Sequence, residues 1–200
     1  MNKTALLLLN GEKPNAMPDS SNYGIVCATD GAYKTISRFN IKPDFISGDL
    51  DSLTEPPKDV EIIHTPNQNY TDFDKVLKIL FNRNYVDVHV YGASGKEQDH
   101  FMGNLHTALQ WKNKIRLTFF DNYGYYFLAR PNEVIRNCLK KHVSLVPMPS
   151  AEGITTIGLQ YPLLNETLRF GDRLGTRNIA ITNHVEIAFK TGDLFIFIND

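Results

Sequence analysis

The run Asp44-Phe45-Ile46-Ser47-Gly48-Asp49-Leu50-Asp51-Ser52 sets the reading of the whole chain. A short apolar stretch ends at a glycine, and two acids follow it at positions i and i+2. In an extended segment such positions face the same side. Asp49 and Asp51 are therefore expected to face one point in space. Like charges that close repel and raise one another's pKa unless something positive sits between them. A hard divalent cation fits this requirement, and Mg²⁺ uses one or two carboxylates together with substrate phosphates. Taken alone, the same residues also compose an ordinary solvated turn.

The flanking sequence repeats the arrangement. Thr4 to Leu9 is a continuous apolar run, as expected of a strand buried on both faces of a parallel sheet. Gly24 to Ala28 is a second such run, followed by Asp30-Gly31-Ala32 and a helical stretch from Tyr33 to Phe39. Val60 to His64 reads as a further strand. Phe73, Val76, Leu77 and Leu80 carry the i, i+3, i+4, i+7 spacing of a helix that Thr71 can cap, with Asp74 in the capping-box position. Val86 to Tyr91 and Ile115 to Phe120 are strands on either side of a helix expected to be capped by Asp99, with Met102, Leu105 and Leu109 on one face. Strands alternating with helices predict βαβ units, so residues 1–130 are expected to form a Rossmann-like α/β domain with a mostly parallel sheet.

Beyond that the pattern changes. Short candidate strands run over 123–129, 142–146, 154–159, 163–170, 178–181, 185–190 and 194–198. Pro147, Gly153, Asn165, Gly171, Gly175, Asn183 and Gly192 punctuate them, and no helical period follows Asn137. Residues 131–200 are therefore expected to form an all-β sandwich or jelly roll, with the boundary between Arg130 and Leu139.

Composition narrows the function. With 200 residues, 42% hydrophobic and 22% charged, the chain has globular values and ample core. A net charge of −1 offers no electrostatic footprint for nucleic acid or an anionic membrane. The longest apolar run is too short to span a bilayer, and only five apolar residues follow Met1-Asn2-Lys3-Thr4. A cytoplasmic protein without nucleic-acid or membrane partners is expected. Cys27 and Cys138 stand alone in apolar contexts and read as buried thiols.

Asp30, Asp49, Asp51, Asp72 and Asp99 all fall after predicted strands or at predicted helix starts. In open α/β sheets these carboxyl ends converge on one crevice, where ligands bind. Acids alone would repel a phosphate, whereas acids with Mg²⁺ would bind one, so the pattern points to a metal-bridged polyphosphate such as ATP. Singly, Asp72 and Asp99 are better explained as cap or first-turn acids, and Asp30 before Gly31 can be a turn residue. Gly92-Ala93-Ser94-Gly95-Lys96 lacks the spacing and the Ser or Thr of a Walker loop. The six histidines show no metal-ligand spacing.

These residues together resemble the thiamin pyrophosphokinase family over nearly the whole chain. Asp30-Gly31-Ala32 is similar to its Asp-Gly-Gly-Ala element, and Pro43 to Ser52 to its Pro-Asp-x-Ile-x-Gly-Asp-x-Asp-Ser signature. Gln68 with Thr71-Asp72-Phe73-Asp74-Lys75 resembles its Gln-x-x-Thr-Asp-x-x-Lys element. Gly92 to His100 with Asn104 resembles its Gly-rich Asp-His-x-x-x-Asn segment. The resemblance implies transfer of pyrophosphate from ATP to thiamin, giving thiamin diphosphate and AMP, with Mg²⁺ required. It also implies a homodimer with active sites at the subunit cleft. Asp49, Asp51 and Asp72 would hold the metal, with Asp30 a further ligand or orienting the hydroxyl. Lys75, Gly95, Lys96, Asp99, His100 and Asn104 would serve ATP, and Gln68 and Asn178 thiamin. Which acid, if any, takes the proton stays open.

Two positions depart from the family pattern. Glu97 stands where the family has Arg, and Lys96 beside it can supply the positive charge less rigidly. Arg177-Asn178 replaces Ser-Asn, and strand alternation predicts Asn178 facing the thiamin pocket with Arg177 outward. A nucleotide or thiamin sensor without turnover, and an Asp-x-Asp nucleotide-sugar transferase, are the alternatives.

Overall fold

The apolar run behind Thr4 is buried on both faces. In β1 (Thr4–Leu8), Ala5, Leu6, Leu7 and Leu8 have no exposed surface. A computed structural model describes residues 3–53 and 57–200; Met1 and Asn2, where the expected absence of a leader was read, lie outside them. It divides into two compact units, Met1–Asn122 and Tyr123–Asp200.

In the first unit, β1 pairs in parallel with β2 (Ile25–Thr29) and with β5 (Asp87–Tyr91). Beyond β2 lie β3 (Phe45–Gly48) and β4 (Glu61–His64), and beyond β5 lies β6 (Arg116–Phe120), all parallel. The order β4-β3-β2-β1-β5-β6 means the chain winds outward from β1, then returns to its other side. The carboxyl ends diverge there, and a crevice opens between the loops.

Among the described residues three α-helices serve this sheet. A 3₁₀ turn over Asp30–Ala32 leads into α1 (Tyr33–Ser37), shorter than the stretch expected. The second helix, α2 (Asp72–Asn82), buries Phe73, Val76, Leu77 and Leu80, and Thr71 Oγ1 accepts the Asp74 N–H at 3.2 Å as its cap. Asp74 does not close a capping box. Its Oδ1 accepts the Trp111 indole N–H at 2.7 Å, tying α2 to α3 (Gln98–Trp111). The cap expected at Asp99 is corrected: α3 starts two residues earlier than that cap implies, Glu97 occupies the N-cap position, and Asp99 sits in the first turn. The buried face runs through Leu105, Ala108 and Trp111, while Met102 is 49% exposed.

The second unit is built on antiparallel pairs. Its strands are β7 (Gly124–Leu128), β8 (Asn132–Arg136), β9 (His142–Ile157), β10 (Glu166–Arg169), β11 (Gly175–Ile179), β12 (His184–Ala188) and β13 (Thr191–Asn199). The sequence reading divided β9 in two at Pro147 and Gly153, but it is one strand of 16 residues. Pro147 is tolerated because it faces Leu194 beside a register shift in β13, where a missing N–H costs little. Gly153 takes a left-handed φ of 68° without leaving the strand. β9 pairs with β10, β11, β12 and β13, while β7 lies on β13 and β8 on β12. β8 occupies the stretch read as an interdomain boundary, so the units divide at Asn122/Tyr123 rather than 130/131. One core gathers Phe127, Val143, Leu145, Ile154, Leu168 and Ile196. Cys27 and Cys138 are free and buried, and burial pushes both thiols up. Among the described residues no helix is long and apolar enough to cross a membrane.

Candidate active site

Strand β3 stops at Gly48; Asp49 follows it directly and Asp51 lies in the turn after that, not in one extended segment as their spacing suggested. They converge for another reason. Leu50 adopts a left-handed φ of 70°, uncommon for a residue with a branched side chain. Its N–H then donates to Asp30 Oδ2 at 2.9 Å, and the Gly31 N–H donates to Asp30 Oδ1 at 2.7 Å. One ligand oxygen from each of Asp30, Asp49 and Asp51 lies within 4.8 Å of the others. Gly48 makes this possible, because a Cβ there would stand 2.3 Å from Asp30 Cγ.

The three acids differ electrostatically. Asp30 is buried, and burial raises its pKa, opposed by the Gly31 and Leu50 amides and reinforced by Asp72 and Asp49. Asp49 is lowered, chiefly because Gln68 Nε2 donates to its Oδ2 at 3.0 Å; the Asp51 N–H adds to this at 3.3 Å. Asp51 Oδ1 accepts from Ser52 Oγ at 3.0 Å. Compact, oxygen-only and acidic, the set has the donors a hard divalent cation needs. Asp72 is not in this set. Its Oδ1 lies 3.0 Å from Lys75 Nζ, an ion pair whose lysine is only 9% exposed.

The surrounding crevice encloses about 500 Å³ and is lined by the loops after β1 to β5 and by the first turns of α2 and α3. Gln68, Asp72, Lys75, Gly95, Lys96, Asp99, His100 and Asn104 all reach it. Asn104 Nδ2 donates to the Ala93 carbonyl at 2.7 Å, so it holds the Gly-rich loop. Lys96, at φ 56°, donates from Nζ to the Asn10 carbonyl and to Asn10 Oδ1, at 2.9 and 3.0 Å. Asp99 Oδ1 accepts the His100 N–H at 2.9 Å, and His100 Nδ1 lies 3.9 Å from Glu97 Oε2 on the exposed rim.

Asn10 and Thr29 are among the lining residues that escaped the sequence reading. Asn10 follows the β1 run directly, and Thr29 ends β2. Thr29 is buried, and its Oγ1 has no hydrogen-bond partner among the described residues. Their position at carboxyl ends of strands was the available signal, the same one that marked Asp30. Asn178 lies in the second unit, where Oδ1 accepts the Tyr161 and Ile179 N–H groups and Nδ2 donates to the Tyr161 carbonyl. Arg177 is exposed, but it reaches that side through a left-handed φ of 55° at a register shift, not through strand alternation. Its Nη2 lies 3.0 Å from His142 Nε2.

The chain thus joins a parallel α/β unit, with an acidic crevice beyond its strand ends, to an antiparallel β unit, and so falls in the class of two-unit α/β-plus-β proteins. The family model described as "Thiamin pyrophosphokinase, catalytic domain" matches residues 20–119, and the one described as "Thiamin pyrophosphokinase, vitamin B1 binding domain" matches residues 132–194. The chain belongs to the thiamin pyrophosphokinase family. It is 26% identical to a thiamine pyrophosphokinase of Bacillus subtilis over 97% of each chain. It is 27% identical to thiamin pyrophosphokinase 1 of Caenorhabditis elegans, over 84% of this chain and 76% of that one. The crystal structure of the thiamine pyrophosphokinase from Bacillus subtilis superposes with a TM-score of 0.85 at 23% identity, covering 98% of both chains. The thiamin pyrophosphokinase from Candida albicans does so at 0.85 and 16% identity, over 99% of this chain and 89% of that one.

Proposed function

We propose that this chain transfers a pyrophosphoryl group from ATP to thiamin, giving thiamin diphosphate and AMP. The observation that carries the reading is the convergence of Asp30, Asp49 and Asp51 in a crevice within the stretch matched by the family's catalytic-domain model. In the reaction the thiamin hydroxyl oxygen bonds to the β-phosphorus. The bond from that phosphorus to the α–β bridging oxygen breaks, AMP leaves with the electron pair, and the hydroxyl proton is released.

Asp30, Asp49 and Asp51 would hold Mg²⁺, whose charge would offset that of the phosphates. The chain's own residues position the reactants. Gln68 orients Asp49 by its 3.0 Å hydrogen bond. Lys75 neutralises Asp72, which reduces the repulsion that six acids around the crevice would exert on a polyphosphate. Among the described residues Lys96 bonds to neutral oxygens, the Asn10 carbonyl and Oδ1, so no carboxylate offsets its charge toward a ligand anion. Such placement of charge and reactants supplies most of the rate in phosphoryl-type transfer.

The first unit, a Rossmann-like fold in this reading, takes ATP, and the second, a sandwich or jelly roll, takes thiamin. A cytoplasmic homodimer with sites shared between subunits completes the proposal. A sensor without turnover is disfavoured by the intact acid cluster, and a nucleotide-sugar transferase leaves the thiamin-binding match unexplained. The test is incubation with thiamin, ATP and Mg²⁺, with chromatography of the products. Thiamin diphosphate and AMP in equal amounts are expected. AMP alone would indicate a hydrolase, and neither product a sensor. Light scattering measures the subunit number.

A further inference from the structure

We infer that Asn10, at the carboxyl end of β1, is a substrate-binding residue: it fixes the Lys96 ammonium with one end of its carboxamide and offers the other end to the nucleotide phosphates. The inference rests on the function proposed above. Lys96 can only donate hydrogen bonds, so the oxygen of the Asn10 carboxamide must face it, as the 3.0 Å contact from Nζ to Oδ1 records. This settles which end of the amide is which, and it places Nδ2 on the opposite side. There Nδ2 stands over Gly31, where a Cβ would come within 2.5 Å of it. Gly31 is the neighbour of Asp30, so Nδ2 lies beside the loop that carries one of the three clustered acids. Among the described residues no hydrogen bond engages Nδ2, although Asn10, Gly31 and Lys96 all line the crevice.

The charges of the crevice give this arrangement its purpose. Of its two lysines, Lys75 is committed to Asp72. Lys96 is held by the Asn10 carbonyl and side chain, both neutral, so one further donor and its whole charge remain. A polyphosphate entering beside the acids would meet the ammonium and the Nδ2 hydrogens as adjoining donors set by one residue. Neutral amide donors suit a site already rich in acids, because they attract phosphate oxygens without forming ion pairs with the neighbouring carboxylates.

The test compares wild type with Asn10→Asp, Asn10→Ala, Lys96→Ala and the Asn10→Ala/Lys96→Ala double variant, with Mg²⁺ present. Steady-state kinetics are paired with calorimetric ATP binding, and each variant's melting temperature is recorded. Asn10→Asp keeps the shape and the acceptor for Lys96 but replaces the donors with negative charge. It is expected to raise the KM for ATP about tenfold or more, with the KM for thiamin within twofold. Asn10→Ala is expected to act in the same direction, and the double variant to fall short of the product of the two single effects. An unchanged ATP KM in both Asn10 variants, equal shifts in both substrates, or fully multiplicative effects would overturn the inference. If wild type bound ATP but formed no thiamin diphosphate, the proposed reaction would fail, and ATP affinity in Asn10→Asp would still decide the role of Asn10. If Asn10→Asp melted well below wild type, Asn10→Ser would replace it, with the same KM split expected.

Discussion

Two asparagines, one in each unit, show how differently the halves use the same side chain. Asn10 commits its oxygen to Lys96 and leaves its amide hydrogens toward the crevice. Asn178 spends its oxygen on two backbone N–H groups and its amide on the Tyr161 carbonyl. The first unit thus keeps hydrogen-bonding capacity in reserve at strand ends, while the second consumes it to hold a loop that carries Tyr161 at 66% exposure. Substitutions in the first unit should therefore cost activity more than stability, and in the second the reverse.

The widest separation is expected at the acid pair. Asp49→Asn or Asp51→Asn should lower kcat by several orders of magnitude while the melting temperature changes little, since both side chains sit at the surface of the crevice rather than in the core. Near-normal turnover at saturating Mg²⁺ would break the comparison at its strongest point. Gly48→Ala should follow. Its methyl meets the Asp30 carboxylate, so activity should fall at least tenfold, with a loss of about 1–3 kcal/mol in urea unfolding. Asn178→Ala should lose about 1–3 kcal/mol, because the Tyr161 backbone is left with unmet hydrogen bonds. The sequence-based expectation was a direct hydrogen bond from Asn178 to thiamin. A variant that kept its stability but lost thiamin affinity would restore that view.

Asp30→Asn sharpens the comparison through pH. The folded-state pKa of Asp30 is raised, so its ionisation costs the native state stability as pH climbs from the ordinary aspartate range through the raised value. Without metal, the variant should match wild type at low pH. Its advantage should grow across that window and then stay constant. A constant difference at every pH would refute the raised pKa of Asp30. Arg177→Ser should do least, within about 0.5 kcal/mol, since the residue is exposed and its backbone N–H to Ser144 Oγ is unaffected.

The alternation of strands and helices in the first unit was legible because each apolar run stands alone between polar loops. The acids were legible by position, but their geometry was not. Spacing suggested an extended pair, whereas a left-handed Leu50 and the Asp30 carboxylate create the convergence. Nothing in a sequence announces a positive φ at leucine. In the second unit Pro147 and Gly153 read as breaks, because local signals cannot see a partner strand that irregularly shifts to accommodate them. Asn10 was missed since a lone asparagine after an apolar run is also an ordinary start of a turn.

The 16-residue strand β9 has a consequence for how the second unit forms. Four other strands pair with it, drawn from segments as far along the chain as Thr191–Asn199. It works as a spine rather than a member of a series. None of those four can complete its ladder before the spine is extended, and the spine's edges stay open until all four arrive. Assembly of this kind is dominated by contacts distant in sequence, which makes folding slow and loss of structure concerted. Hydrogen exchange in β10, β11, β12 and β13 should therefore report one common opening, with β9 setting its rate.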